Sequence, residues 1–139
     1  MITELDNLIP QRYPFEFIDK FVRIEAGVRA SAVKLISINE WFFSQNDKNN
    51  LIVPRPFVIE MMAQTGVGAI LSLHEGEELN VFFGGIRKAI YFEDIVPGDI
   101  LNITVEMKKV KGKMGLGNGI ILKNNVVVCK ADLIFVIER

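Results

Sequence analysis

The sequence predicts an α+β fold, a curved antiparallel sheet wrapped around one long central helix. Three observations carry that expectation. Phe57–Leu73 is apolar on nearly every side, as a helix enclosed by other structure must be. From Asn80 onward apolar and polar residues alternate, which is the period of a half-buried strand. The connections between those strands are short, and short connections favour antiparallel neighbours.

The elements follow in order. Residues 2–8 read as a short helix capped by Thr3 and stopped by Pro10. Phe21–Glu25 and Val28–Ser37 read as two strands joined at Gly27, and Asn39 is placed to cap a short turn over Trp41–Phe43. Residues 44–53 open with loop composition. Pro54-Arg55-Pro56 then opens the helix, because proline suits a first turn whose N–H groups have no helical acceptor. Ala63, Gly66, Gly68 and Ala69 keep this helix slim, and the glycines suggest that another backbone approaches closely. Leu101, Ile103, Val105 and Met107 form one strand face, and Val127, Cys129, Ala131, Leu133 and Phe135 form another. Val96-Pro97-Gly98-Asp99 is a turn signal and Lys111-Gly112-Lys113 a hairpin signal. The expected layout is two strands, the helix, then four strands in a meander.

Composition narrows the function. The chain has 139 residues, half of them hydrophobic, and reads as a single domain over 1–139, since domains cluster near about 100–150 residues. Such a hydrophobic excess argues against disorder and leaves apolar surface for a partner subunit to cover. With 16 Lys+Arg against 17 Asp+Glu the net charge is −1, without the basic excess of a nucleic-acid binder. The longest uncharged run, Met61 to His74, falls short of the roughly 18–20 residues that a membrane span needs. The opening residues carry acids and no apolar core, unlike a signal peptide. The expected setting is soluble and cytoplasmic.

Few residues can carry chemistry. Glu60 is the lone acid between Leu51 and His74, near the start of the helix, where the dipole favours a carboxylate. Gln64, one turn later, shares its face, and a Glu/Gln pair on a buried helix needs polar company that a substrate pocket would supply. His74 is the single histidine and reads as a solvated helix end, while Cys129 reads as a core thiol. One cysteine excludes an internal disulfide. No His/Cys/Asp set has metal-ligand spacing, and Gly115, Gly117 and Gly119 lie in a strand with no helix after them, so no phosphate loop is expected. Lys108, Lys109, Lys111 and Lys113 read as a solvated hairpin tip.

Several blocks, in order, resemble the (3R)-hydroxyacyl-ACP dehydratases of bacterial fatty-acid synthesis. They are Ile9-Pro-Gln-Arg-Tyr-Pro-Phe15 with Ile18-Asp19, Ile38-Asn-Glu-Trp-Phe-Phe43, Ile59-Glu-Met-Met-Ala-Gln64, Phe82-Phe-Gly-Gly-Ile86 with Lys88-Ala89, and Val96-Pro-Gly-Asp99. The similarity runs from about residue 5 to residue 138. It implies the hotdog fold, dimers made by joining two sheets edge to edge, and assembly of dimers into hexamers. It also implies water removal from a 3-hydroxyacyl thioester by a loop histidine and a helix Glu from opposite subunits, with no cofactor. Backbone N–H groups at the helix start polarise the thioester carbonyl. By the same resemblance Arg55, Phe57, Gln64, Phe83, Gly84 and Gly85 line the substrate. Arg87 and Lys88 match a basic spot that receives the acyl carrier protein, although two solvated strand charges would look the same.

The sequence departs from the pattern at the chemistry. Glu60 is kept, but Asn46 stands where the histidine is expected, and an amide does not exchange protons near neutral pH as imidazole does. The family's glycine after the helix-opening proline is Arg55, followed by Pro56, which has no N–H to offer an oxyanion. The first-motif histidine is Gln11, and the loop reads Asp47-Lys-Asn-Asn50. The expectation is a protein that binds acyl-ACP or acyl-CoA, with dehydratase activity lost or dependent on an active paralogue in a heterodimer. The alternatives are a hotdog thioesterase using Glu60 with Gln64 and Thr65, and a weak dehydratase assisted by Asn46, Asp47 or water.

Overall fold

The computed structural model describes residues 8–43, 51–74 and 79–138. The helix expected over 2–8 lies, apart from Leu8, outside the described residues, as do Asn46 and Asp47.

Among the described residues six strands and one α-helix follow in the order β1 (Lys20–Glu25), β2 (Arg29–Leu35), α1 (Arg55–Leu73), β3 (Asn80–Tyr91), β4 (Ile100–Lys111), β5 (Met114–Lys123) and β6 (Val126–Glu138). A 3-10 turn at Trp41–Phe43 precedes the helix. All strand pairs are antiparallel, and the helix packs against all six strands. This is the hotdog fold.

The sheet order is β1-β2-β4-β5-β6-β3, which corrects the four-strand meander expected after Asn80. Only β4, β5 and β6 form a meander, and β3 lies at the far edge beside β6. The segment between β3 and β4 is no tight turn but a crossing held at successive points. Phe92 N–H donates to Val128 O, Val53 N–H to Ile95 O, and Ile36 N–H to Asp99 O. The Val96–Asp99 turn ends the crossing, with Gly98 at φ +94° and the Asp99 carboxylate accepting from Val96 N–H.

The alternation read from β4 and β6 is observed except at the start of β6, where Val128 is the extra residue of a bulge and is buried in place of the expected Val127, which is half-buried. Leu101, Ile103 and Val105 are buried, as are Cys129, Ala131, Leu133 and Phe135. Two hairpins join the meander. Gly112 takes φ +59° in the first, and Asn124 and Asn125 take φ +52° and +63° in the second, the backbone of a type I′ turn. The second turn went unread because its Asn-Asn pair lacks the usual glycine.

Every residue from Met61 to Ile70 is buried, so the helix has no solvent face there. By length and composition it could cross a membrane, a property that the count of uncharged residues understates, but in this fold the sheet covers it. Its glycines accommodate aromatic rings rather than another backbone: a Cβ at Gly66 would fall on the Phe135 ring and one at Gly68 on the Phe21 ring. The 3-10 turn is held by Glu40, whose carboxylate accepts from Ser37 N–H at 2.8 Å; the Asn39 contact is its backbone N–H to Ser37 Oγ. Lys34, almost fully buried, lies 3.3 Å from Asp19 and 3.4 Å from Glu40, tying β2 to that turn.

Candidate functional site

The helix begins at Arg55, two residues earlier than read, with Pro54 as its cap residue. Glu60 therefore lies in the second turn, and the first turn carries no acid. The dipole falls off within the first turn, so it gives little reason for a carboxylate at this position. The Pro54 carbonyl accepts from both Phe57 N–H and Val58 N–H, and Pro56 has none. Of the first four helical residues, only Arg55 keeps a backbone N–H that Pro54 does not engage.

Glu60 is half-buried, and desolvation pushes its carboxyl above the usual range, with the Gln64 hydrogen bond acting in the opposite direction. Gln64 is 1% exposed, and its amide is fully engaged. Its Oε1 accepts from Phe17 N–H at 2.8 Å, and its Nε2 donates to Phe15 O at 2.6 Å and to Glu60 Oε1 at 3.2 Å. The polar company expected for Gln64 thus comes from the 15–17 backbone and from Glu60, whose carboxyl it orients. Thr65 donates to Met61 O at 2.8 Å, as a buried helical hydroxyl does when it has no other acceptor.

Phe57 joins an aromatic cluster that was not read from the sequence. Its ring lies 5.1 Å from Phe17, 5.4 Å from Trp41 and 4.9 Å from Phe42. Trp41 Nε1 donates to Pro14 O, so the segment before β1, the 3-10 turn and the helix start meet beside Glu60. The Trp-Phe-Phe run was the available signal.

The remaining candidates lie elsewhere. Phe83 packs edge-on against Phe135 at 6.3 Å. Gly84 is the extra residue of a bulge in β3, and Gly85 takes φ +154°, where a side chain is strained. Among the described residues no hydrogen bond links Phe83, Gly84 or Gly85 to Glu60. Arg87 occupies a second bulge. Lys88 is exposed and lines an outer-face groove with Lys108 and Lys130. His74 is half-buried and closes the helix, its N–H donating to Leu71 O. No group of three or more His, Cys, Asp or Glu among the described residues could hold a metal.

Arg55 stacks on Tyr91, its guanidinium 4.3 Å from the ring centroid. Both border a crevice of about 240 Å³ with Val53, Val58, Ile95 and Cys129. Burial pushes the Cys129 thiol up to about 11 despite the nearby Arg55 charge, so it stays a protonated core thiol. Tyr91 was missed because it ends an ordinary period-two strand.

Comparisons with known proteins agree with the fold. Residues 9–132 match the FabA-like domain. The chain is 39% identical over 138 residues to the 3-hydroxyacyl-[acyl-carrier-protein] dehydratase FabZ of Clostridium botulinum (strain Loch Maree / Type A3), covering 99% of this chain and 96% of that one. It is 35% identical to the FabZ of Oceanobacillus iheyensis, covering 99% and 98%. Among solved structures, the dehydratase heterocomplex ApeI:P from Xenorhabdus doucetiae superposes with a TM-score of 0.82 at 19% identity, covering 97% and 91%. A hypothetical thioesterase with coenzyme A from Streptococcus pneumoniae superposes with a TM-score of 0.68 at 14% identity, covering 85% and 84%. At such identities the structures speak for the fold alone. The curated relatives and the domain match settle the family: the chain belongs to the FabA-like, hotdog-fold 3-hydroxyacyl-ACP dehydratases.

Proposed function

We propose that this protein binds acyl thioesters, on acyl carrier protein or coenzyme A in the cytoplasm, and supplies the carboxylic acid of a dehydratase site whose base comes from another subunit. The observation that carries this reading is Glu60. It is a half-buried carboxyl with a raised pKa, oriented by Gln64, in a chain whose loop has Asn46 at the position of the expected histidine. A carboxyl whose proton is held more tightly through burial suits the role of the acid that gives its proton to a departing 3-hydroxyl, which leaves as water, while a base takes the proton from the carbon beside the thioester carbonyl. Asn46 cannot be that base. The helix start adds a second deficit, because Pro56 lacks an N–H for a developing oxyanion.

A thioesterase using Glu60 as base or nucleophile needs the ionised carboxylate, which burial disfavours. Gln64 and Thr65 are also engaged by backbone groups. The acid role is the better supported one.

The assembly we infer is a dimer seamed along β3. That strand is a twelve-residue open edge carrying the exposed apolar side chains of Phe82, Ile86 and Ile90. The opposite edge, β1, is six residues long and charged. Three such dimers would form a hexamer. An active paralogue in place of one subunit would give the heterodimer. Arg87 and Lys88 are the proposed carrier contacts, both exposed on this strand.

The test is to measure binding and turnover together on the purified homo-oligomer. The reading expects saturable binding of acyl thioesters with negligible hydration of trans-2-enoyl thioesters. Family-like turnover by the homo-oligomer, or no binding at all, overturns it.

A further inference from the structure

Val58 and Glu60 are two positions apart, about 200° around the helix, so the Arg55 crevice and the carboxyl of Glu60 lie on different faces of the same helix start. The crevice has its own construction. Val53, Val58, Ile95, Val128 and Cys129 are all buried and form apolar walls. The mouth holds the Arg55 guanidinium, set over the Tyr91 ring at 4.3 Å. Glu93 and Asp94 are also at the mouth, yet among the described residues no ion pair joins either of them to Arg55. The stack on Tyr91 is therefore what fixes the guanidinium in place. An arginine suits this, since its planar, weakly hydrated head lies flat on an aromatic face.

We propose that Arg55 is a specificity-determining residue: held by Tyr91, it closes the crevice and restricts the bound acyl group to a short chain. The proposal rests on the acyl-thioester reading and names its substrate class. At roughly 30 Å³ for each water-sized group, a crevice of about 240 Å³ holds about eight of them. Each methylene that finds room should raise affinity about fourfold, from about 0.8 kcal/mol per buried CH₂. A methylene that meets the guanidinium gains nothing and displaces a stacked cation. Affinity should therefore climb with chain length and then fall.

The experiment is calorimetric titration of the purified protein with acyl-coenzyme A thioesters of 4, 8, 12 and 16 carbons, repeated on Arg55→Ala and Tyr91→Leu. Tyr91→Leu keeps the arginine but removes its platform, so it tests the stack even if Arg55→Ala folds poorly. The expected wild-type profile peaks at 4 or 8 carbons and drops at least tenfold by 12. Both variants should move the peak to a longer chain by 4 carbons or more. A wild-type profile that keeps rising to 16 carbons overturns the proposal, as does a cut-off that both variants leave in place while weakening every chain equally. Absence of binding at every length, in wild type and variants, is a separate result that defeats the underlying acyl-thioester reading and this proposal with it.

Discussion

The side-chain amide of Gln64 lies 3.2 Å from the carboxyl of Glu60, one helical turn away, and also grips the backbone of Phe15 and Phe17. One buried side chain thus sets the orientation of the Glu60 carboxyl and ties it to the segment preceding β1.

Replacing that amide should cost stability. Gln64→Leu leaves Phe17 N–H and Phe15 O without their partner, and a buried unsatisfied group costs about 1–3 kcal/mol. Denaturant unfolding at fixed protein concentration should show a loss of about 2–4 kcal/mol. A loss under about 0.5 kcal/mol, the level of an ordinary surface change, would contradict the network.

The raised Glu60 pKa has a signed consequence for stability. The folded chain holds this proton more tightly than the unfolded chain, whose carboxyl titrates near 4.5. The stabilising contribution is therefore complete below that pH and is lost as pH rises through the higher folded value. Glu60→Gln, which mimics the protonated form, should gain stability over wild type as pH is raised from 4 to 7. Parallel stability profiles for the two proteins would show that burial does not disfavour the charge.

The central helix should resist even a small added side chain. Gly66→Ala gains up to about 1 kcal/mol in helix propensity but drives a methyl into the Phe135 ring, and overpacking typically costs about 1–3 kcal/mol. Net destabilisation is expected, relieved in the double variant with Phe135→Leu. A thermodynamic cycle should return a coupling of at least about 0.5 kcal/mol, and strict additivity would contradict the contact.

The edge of β3 should be the seam. Phe82→Lys with Ile86→Lys places two charges on side chains that are 51% and 44% exposed in the single chain, so the fold itself should tolerate them. Light scattering should show dissociation with the far-ultraviolet spectrum retained. An unchanged assembly would move the interface elsewhere.

How much of this was legible depended on how far apart the partners sit in the chain. The helix and the inward faces of β4 and β6 follow from local patterns, since burial imposes periods of 3.6 and 2 directly on neighbouring residues. The position of β3 does not, because two strands separate it from its partner, β6, and Phe83 shows nothing of its pairing with Phe135. Gln64 was visible as an oddity on an apolar helix, but its partners lie 47 and 49 residues away, and only the fold brings them together. The stack of Arg55 on Tyr91 was hidden for the same reason, since Tyr91 carries no mark of it. Glu60 was conspicuous because it is the lone acid among apolar residues, while the role proposed for it comes from the family resemblance.

The most direct measurement mixes this protein with an active paralogue whose own helix Glu has been changed to Gln. In a divided site, Glu60 from this chain can join a histidine from the paralogue, while the reciprocal site, with Asn46, stays dead. Arg55 and Pro56 must lie in the dead half for the working half to keep its oxyanion donors. Dehydration of a 3-hydroxyacyl thioester should appear on mixing, at about half the sites of the intact paralogue dimer, and vanish when Glu60 is also changed to Gln. Proven heterodimers that remain inactive, or activity that survives Glu60→Gln, would contradict the role assigned to Glu60.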